Sequence, residues 1–210
     1  MDHSIKYYSG VREDFLRVLG GKFRKRVLEV GCGVGDTGEA ALKAGCCQEY
    51  YGVEISKDAF RVAKGKLTEV ICGDIENIEL PWGEGFFSAL VFGEVLEHLV
   101  DPWGVLKKLR SLLVPNSTVL ASCPNVACLS NVSSLIRGRW DYAESGVMDW
   151  GHLRWFTPAT LAEMFTSAGY SVIEVKPLRA FGWKARILNA LTLNRFNHLF
   201  WRQIFLHAEV

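Results

Sequence analysis

Val27–Gly38 reads VLEVGCGVGDTG: an apolar run with a carboxylate inside it at Glu29, then four glycines within eight residues, Gly31, Gly33, Gly35 and Gly38. A short run of Val and Leu closed by glycines reads as a buried strand ending in a tight turn. Without side chains, that turn lets a ligand approach the bare backbone. Gly33, Gly35 and Gly38 also fit the spacing G-x-G-x-x-G, and an acid, Glu54, follows about twenty residues on, as in dinucleotide-binding turns. On these residues alone a nicotinamide or flavin enzyme is as good a reading as any other.

Outward from this stretch, strands and helices alternate. Strands are expected at Arg26–Val30, Glu49–Val53, Glu69–Cys72, Phe86–Phe92 and Thr118–Ser122, and helices at Asp36–Ala44 and Lys57–Lys66, the latter capped by Ser56. DPWGVLKKLRSLL opens with Asp101 as N-cap and Pro102 in the first turn, and Val105, Leu106, Leu109, Leu112 and Leu113 recur at helical spacing. In TPATLAEMFTSAGY, Thr157 caps, Pro158 leads and Gly169 ends a further helix. The tail gives a strand near Ser171–Val175, a helical stretch near Trp183–Leu191 and a strand near Gln203–Glu209. Strand–helix alternation is the pattern of a parallel sheet covered on both faces, and ligands of such sheets lie beyond the carboxyl ends of the strands. Asn125–Phe156 has no clean periodicity. Residues 1–210 read as one domain, with 125–156 as an insertion.

Composition sets the limits. The chain has 210 residues, 49% of them hydrophobic, and a net charge of +1. No concentrated basic face speaks for nucleic acid. No basic–apolar–small leader pattern and no bilayer-length apolar run is evident. Six cysteines, at 32, 46, 47, 72, 123 and 128, include no C-x-x-C pair. They read as reduced thiols of a cytoplasmic protein.

Three features decide between the ligands. Glu29 lies in the strand, two residues before Gly31, where a carboxylate suits an ammonium group and opposes a pyrophosphate. CGDI places a second acid, Asp74, just past the third strand, where it can accept from an adenine amino group. The chain is also short for a two-domain dehydrogenase. At these residues the sequence resembles the class I S-adenosylmethionine-dependent methyltransferases: LEVGCGVG is similar to their glycine motif, YGVEIS to their second-strand acid, and CGDIENIELPWGEGFFSALVFGEVLEHLVDP to their third- and fourth-strand region. EVLEHLVDPW and GHLRWFTPATL resemble the subgroup of quinone-type O-methyltransferases and enzymes of bacterial surface-glycan assembly.

The resemblance implies an α/β, Rossmann-like, seven-stranded, mostly parallel sheet with an antiparallel last strand and helices on both faces. It implies S-adenosyl-L-methionine as cofactor, with the backbone of Gly31, Cys32, Gly33 and Gly35 near its methionine part. Glu29 would orient that loop or reach the ammonium, Glu54 would take both ribose hydroxyls with Ile55 beside it, and Asp74 and Ile75 would hold the adenine. Glu94 would line the floor under the sulfonium. In this family the N-terminal segment closes over the cofactor, so Tyr7, Tyr8 and Arg12 are lid candidates; KYYSGVREDFLRVL reads as a helix, with Val11, Phe15, Leu16 and Leu19 apolar.

Methyl transfer to a hydroxyl calls for a base, and His152 and His98 are the candidates. His152 lies in the irregular segment where this family builds its acceptor pocket. RGRWDYAESGVMDWGHLRWF mixes Trp, Tyr, Arg, Asp and His, which suits a sugar ring or a flat polar acceptor, with aromatics for its faces and charges for its hydroxyls. Glu94, Glu97 and His98 form E-x-x-E-H, which on one helical turn would share an arc of about 100°. Quinone-type relatives carry a similar motif and it implies possible metal dependence, yet Pro102 follows so closely that a short turn with a structural His98 and no metal is the expectation. The tail FNHLFWRQIFLHAEV lacks a strong basic face and is expected to be buried rather than to touch a membrane. The preferred acceptor is a sugar hydroxyl of a glycan or its precursor; the alternatives are a phenolic or quinone-precursor hydroxyl, a nicotinamide oxidoreductase, and a non-catalytic cofactor-binding protein.

Overall fold

The computed structural model describes residues 9–22, 24–178, 189 and 193–210. In chain order its elements are α1 (Glu13–Leu19), β1 (Arg24–Val30), α2 (Asp36–Lys43), β2 (Cys47–Glu54), α3 (Lys57–Ala63), β3 (Glu69–Cys72), β4 (Phe87–Gly93), α4 (Pro102–Arg110), β5 (Leu113–Pro124), α5 (Leu129–Ile136), α6 (Pro158–Ser167), β6 (Ser171–Pro177) and β7 (Gln203–Glu209). Single 3₁₀ turns stand at Leu96–His98 and Asn197–Phe200.

Val27–Val30 and Ala89–Phe92 are buried on both sides, which is what a central parallel strand requires. The seven strands form one sheet in the order β3-β2-β1-β4-β5-β7-β6, with β7 antiparallel to both neighbours. The remaining pairs, β1–β2, β1–β4, β2–β3 and β4–β5, are parallel. This is the expected architecture. Alternation along β1 sends Leu28 and Val30 into a core with Phe92, Leu106 and Phe165, and Val27 into a second core with Phe15, Tyr50 and Phe205. The strand order reverses between β1 and β4, and the crevice at that reversal is where the site forms.

Local chemistry places the helices. Ser56 accepts from the Ala59 N–H, Asp101 from the Gly104 N–H, and Thr157 and Thr160 make a reciprocal box, each cap being worth about 1 kcal/mol. Gly38 lets α2 lie directly on β2: a Cβ there would stand 2.5 Å from both Tyr50 Cδ1 and Leu67 Cδ2.

The structure corrects four expectations. Helix α1 starts at Glu13 because the backbone before it is held elsewhere: Gly10 N–H donates to Asp36 Oδ2 and Arg12 N–H to Thr37 Oγ1. Strand β5 extends from Leu113 to Pro124, pairing with β4 on one side and β7 on the other. Helix α3 ends at Ala63. The irregular segment contains a helix, α5, whose Leu129, Val132, Leu135 and Ile136 recur at helical spacing although none of its residues is buried. The helical stretch expected at Trp183–Leu191 lies outside the described residues apart from Asn189, as do Tyr7 and Tyr8.

Candidate active site

A cavity of about 1390 Å³ opens at the carboxyl ends of β1–β4. Its floor is the glycine turn. Gly31 has φ 70°, and a Cβ there would sit 2.3 Å from Val95 Cγ2, so only glycine fits. The turn is stapled to β2 by Glu54, which accepts from Gly33 N–H at 2.8 Å with one oxygen and from Ser56 N–H at 2.8 Å with the other. Each oxygen keeps a second lone pair for a ligand donor. Gly31, Cys32 and Gly33 line the cavity, whereas Gly35, the left-handed N-cap of α2, does not.

Glu29 lines the same floor but is buried, with its Oε2 accepting from Tyr50 Oη at 3.1 Å. Burial pushes its carboxyl up to about 7, against the Tyr50 hydrogen bond and the Arg12 guanidinium, which lower it. Asp74 accepts from Glu76 N–H at 3.0 Å and from Asn77 Nδ2 at 2.6 Å, so it caps a turn as well as lining the wall. Ile75 is buried beside it and Ile55 is exposed at the cavity lip.

Glu94 sits at the end of β4 with φ 57°, a left-handed backbone unusual for a side-chain-bearing residue. Ser122 Oγ donates to its Oε1 at 2.6 Å and Gln203 Nε2 to its Oε2 at 3.2 Å; Arg12 Nη2 in turn donates to Ser122 Oγ at 2.9 Å. Glu94 therefore stands apart from the 3₁₀ turn holding Glu97 and His98, and E-x-x-E-H is not one helical arc. Of the lid candidates, Arg12 is described, and it lines the cavity with its guanidinium over the Phe15 ring.

Glu97, His98 and His152 meet on the cavity's other side, with ligand atoms within 4.8 Å of one another. His98 Nδ1 lies 2.9 Å from Gly151 O and His152 Nδ1 3.1 Å from Val147 O. Carbonyls only accept, so each Nδ1 carries a proton, and a neutral ring then has its lone pair on Nε2. Burial, reinforced by His98, holds His152 below the usual imidazole range, which keeps it neutral at pH 7. Glu97 is buried, and its carboxyl has no nitrogen or oxygen partner, only the Cys123 thiol beside it. Burial and the nearby Glu94 push its carboxyl well up. A buried carboxyl beside two imidazoles is a donor set that fits a divalent ion.

Glu29, Glu54, Asp74, Glu76, Glu94, Glu97 and Asp149 line one cavity against Arg12 and Arg202. That excess of carboxylates suits a cationic ligand and opposes a pyrophosphate. The profile of a methyltransferase-domain family matches residues 3–175. The chain belongs to the class I S-adenosylmethionine-dependent methyltransferases.

Among curated relatives, this methyltransferase is 28% identical over 178 residues to a ubiquinone biosynthesis O-methyltransferase of Idiomarina loihiensis, covering 77% of this chain and 70% of that protein. It is 25% identical over 185 residues to a demethylmenaquinone methyltransferase of Geobacillus kaustophilus, covering 79% of each. Against the ubiquinone-type relatives it spans 66% to 72% of their length. A solved S-adenosylmethionine-dependent methyltransferase from Archaeoglobus fulgidus shares the fold with a TM-score of 0.72 and 20% identity, over 100% of both chains.

In this methyltransferase the sequence reading missed Tyr50, Ser122 and Gln203, which hold Glu29 and Glu94. Tyr50 had a signal: a tyrosine in a buried strand needs an acceptor for its hydroxyl. Ser122 and Gln203 had none, because their meeting at Glu94 depends on β5 and β7 pairing. The aromatic platform expected for a sugar ring or a flat polar acceptor is also corrected. Ser145–Val147, Asp149, Gly151 and His152 line the cavity, but Trp140, Tyr142 and Trp150 are exposed, and Tyr142 and Trp150 stack on each other at 4.9 Å. Among the described residues no helix is long and apolar enough to cross a membrane.

Proposed function

We propose that this enzyme transfers a methyl group to the phenolic hydroxyl of a small quinone precursor. The observation that carries this reading is the pair of imidazoles, His98 and His152, each with a free Nε2, in the cavity that also holds the cofactor acids. The quinone-type relatives support it. Trp140, Tyr142 and Trp150 lie outside the cavity lining and so favour neither a sugar nor a flat acceptor.

When bound, S-adenosylmethionine supplies a methyl on a sulfonium sulfur, which leaves as a neutral thioether. Glu54 holds the ribose hydroxyls, Glu29 faces the ammonium, and Asp74, Ile75 and Ile55 enclose the adenine. Residues 125–156 form the acceptor wall of what we take to be a single domain. His152 Nε2 takes the acceptor's hydroxyl proton as its oxygen bonds to the methyl. Holding the acceptor in line contributes about 7–11 kcal/mol, and the base a further factor of about 10²–10⁴. The six free thiols suit a reducing, cytoplasmic setting. Methylation of a panel of catechols, with nucleotide sugars and oligosaccharides as the comparison, tests the acceptor; activity confined to sugars would overturn it.

The clustering of Glu97, His98 and His152, with ligand atoms within 4.8 Å of one another, favours a second reading, in which they hold a divalent ion that lowers the hydroxyl's pKa. Chelation is expected to leave S-adenosylhomocysteine affinity unchanged, because none of the three residues belongs to the cofactor wall. Activity on a catechol then separates the readings: loss on chelation with recovery on adding magnesium or zinc assigns the trio to a metal, and unchanged turnover assigns it to the base.

Glu29 makes cofactor affinity depend on pH. Its carboxyl titrates at about 7 in the free protein, and an ammonium ligand favours the ionised form. Binding therefore releases a proton below that pH, and affinity for S-adenosylhomocysteine should rise by up to about tenfold per unit from pH 5 to 7, then flatten. Calorimetry in buffers of different ionisation enthalpy reads the proton directly. A flat profile would remove Glu29 from the ammonium.

A further inference from the structure

We infer that Arg154 is a positioning residue: it and Glu76 clamp the backbone of Val100, one at its C=O and the other at its N–H, and so tie the turn that meets the adenine to the loop that carries His152. This rests on the proposed reading of Asp74 and Ile75 as the adenine seat and of residues 145–152 as the acceptor wall. It holds whether His152 is a base or a metal ligand.

The adenine turn and the start of α4 form one body. Asp74 O accepts from the Asn77 and Ile78 N–H groups at 3.0 and 2.9 Å, which closes the turn. Within it, the half-buried Glu76 accepts from Val100 N–H at 3.0 Å with Oε2 and from Asp101 N–H at 2.6 Å with Oε1. Two charge-assisted bonds from one carboxylate to successive N–H groups fix direction as well as distance. Lys108 of α4 returns the grip, donating to Ile75 O at 3.0 Å and to Ile78 O at 2.6 Å.

Val100 then hands the hold on. Its side chain is 61% exposed, so its backbone rather than its packing carries the contact. Its carbonyl accepts from Arg154 Nη2 at 2.5 Å and from Arg154 Nε at 3.2 Å. A guanidinium is planar and always charged, and two of its donors converging on one oxygen set its orientation in a way a flexible ammonium does not. His152 stands two residues earlier. The same stretch is also pinned to the 3₁₀ turn: Leu153 and Arg154 N–H donate to Glu97 O at 2.8 and 3.0 Å, and His98 Nδ1–H to Gly151 O at 2.9 Å. The Arg154 side chain carries the hold past that turn to the residue Glu76 grips. Arg154 does not line the cavity, yet a displacement of about 1 Å in a reacting group costs about 10²-fold in rate.

Amide hydrogen exchange of the full chain, with and without S-adenosylhomocysteine, tests the link. In the wild type the ligand should slow exchange at residues 74–78, at Val100 and Asp101, and at Leu153 and Arg154, by at least about fivefold. The loop is in place without ligand, so suppressing its rare openings leaves affinity within about twofold. In Arg154→Ala the protection should stop at Asp101. In Glu76→Gln, whose amide must turn an NH₂ toward one of the two N–H donors, it should stop at Ile78. Arg154→Ala should also lower kcat on a catechol by about 10–10²-fold while the KM for S-adenosylmethionine stays within about twofold, and Arg154→Lys, which keeps one donor for Val100 O, should recover part of the loss. Should Arg154→Ala fail to fold, Glu76→Gln gives the same exchange readout. No protection at Leu153 and Arg154 in the wild type, equal protection there in both variants, or wild-type kcat in Arg154→Ala would overturn the inference. The expected exchange pattern in a chain that methylates no catechol would support the link and overturn the phenolic reading instead.

Discussion

His152→Ala is expected to lower turnover on a catechol acceptor by about 10²–10⁴-fold while leaving S-adenosylhomocysteine affinity within about twofold of wild type. The expectation follows from the placement of the ring. His152 is buried, its Nδ1–H is engaged by Val147 O, and its remaining lone pair lies on Nε2 in the cavity. Burial keeps the ring neutral at working pH, so it can take a proton without first losing one. The His98 ring stands 4.8 Å away, edge to face, and cannot replace it without moving. His98→Ala should therefore cost less than His152→Ala. The loss should fall on kcat more than on KM if His152 acts in the transition state, and on KM if it only seats the acceptor. Wild-type turnover by His152→Ala would remove the base and leave positioning as the source of rate.

Much of the fold was legible because parallel α/β sheets write themselves in local signals. Ser56, Asp101 and Thr157 mark helix starts with one hydroxyl or carboxylate each, and the structure shows all three accepting the expected N–H. The cavity floor was legible for the same reason: Glu29, the glycine turn and Glu54 are each defined by position at a strand end. What escaped depends on contacts between distant segments. Glu94 owes its left-handed backbone and its partners to β5 and β7, and no spacing within EVLEHLV announces that. The trio of Glu97, His98 and His152 forms because Leu153 and Arg154 N–H groups both donate to Glu97 O, pulling the acceptor loop onto the 3₁₀ turn. Helix α5 faces no core although Leu129, Val132, Leu135 and Ile136 recur at helical spacing, and the aromatics after it were misassigned because composition cannot say which side of a loop meets the cavity.

Glu54→Ala is expected to lower affinity for S-adenosylhomocysteine by about 10²–10³-fold, or roughly 3–4 kcal/mol. Two effects add. The carboxylate holds the glycine turn through Gly33 N–H and Ser56 N–H, both at 2.8 Å, and hydrogen bonds to a charged group contribute about 1.5–3 kcal/mol each. It also offers the ribose its second lone pairs, which alanine removes. Glu54→Gln separates the two. An amide has one oxygen and an NH₂, so it can satisfy one backbone donor but must turn a donor toward the other. The glutamine variant should thus bind weakly too, in between wild type and alanine. Asp74→Ala should cost less than either, because its oxygens already serve Glu76 N–H and the Asn77 amide at the edge of the wall. Calorimetry on the three variants, with NADH as the comparison ligand, gives the order directly. NADH should not bind, since the carboxylates around Glu54 oppose a pyrophosphate. If Glu54→Ala binds S-adenosylhomocysteine as wild type does, the turn holds its shape without Glu54 and the ribose is held elsewhere. If NADH binds tightly and S-adenosylhomocysteine does not, the acidic cavity has been misread at its floor.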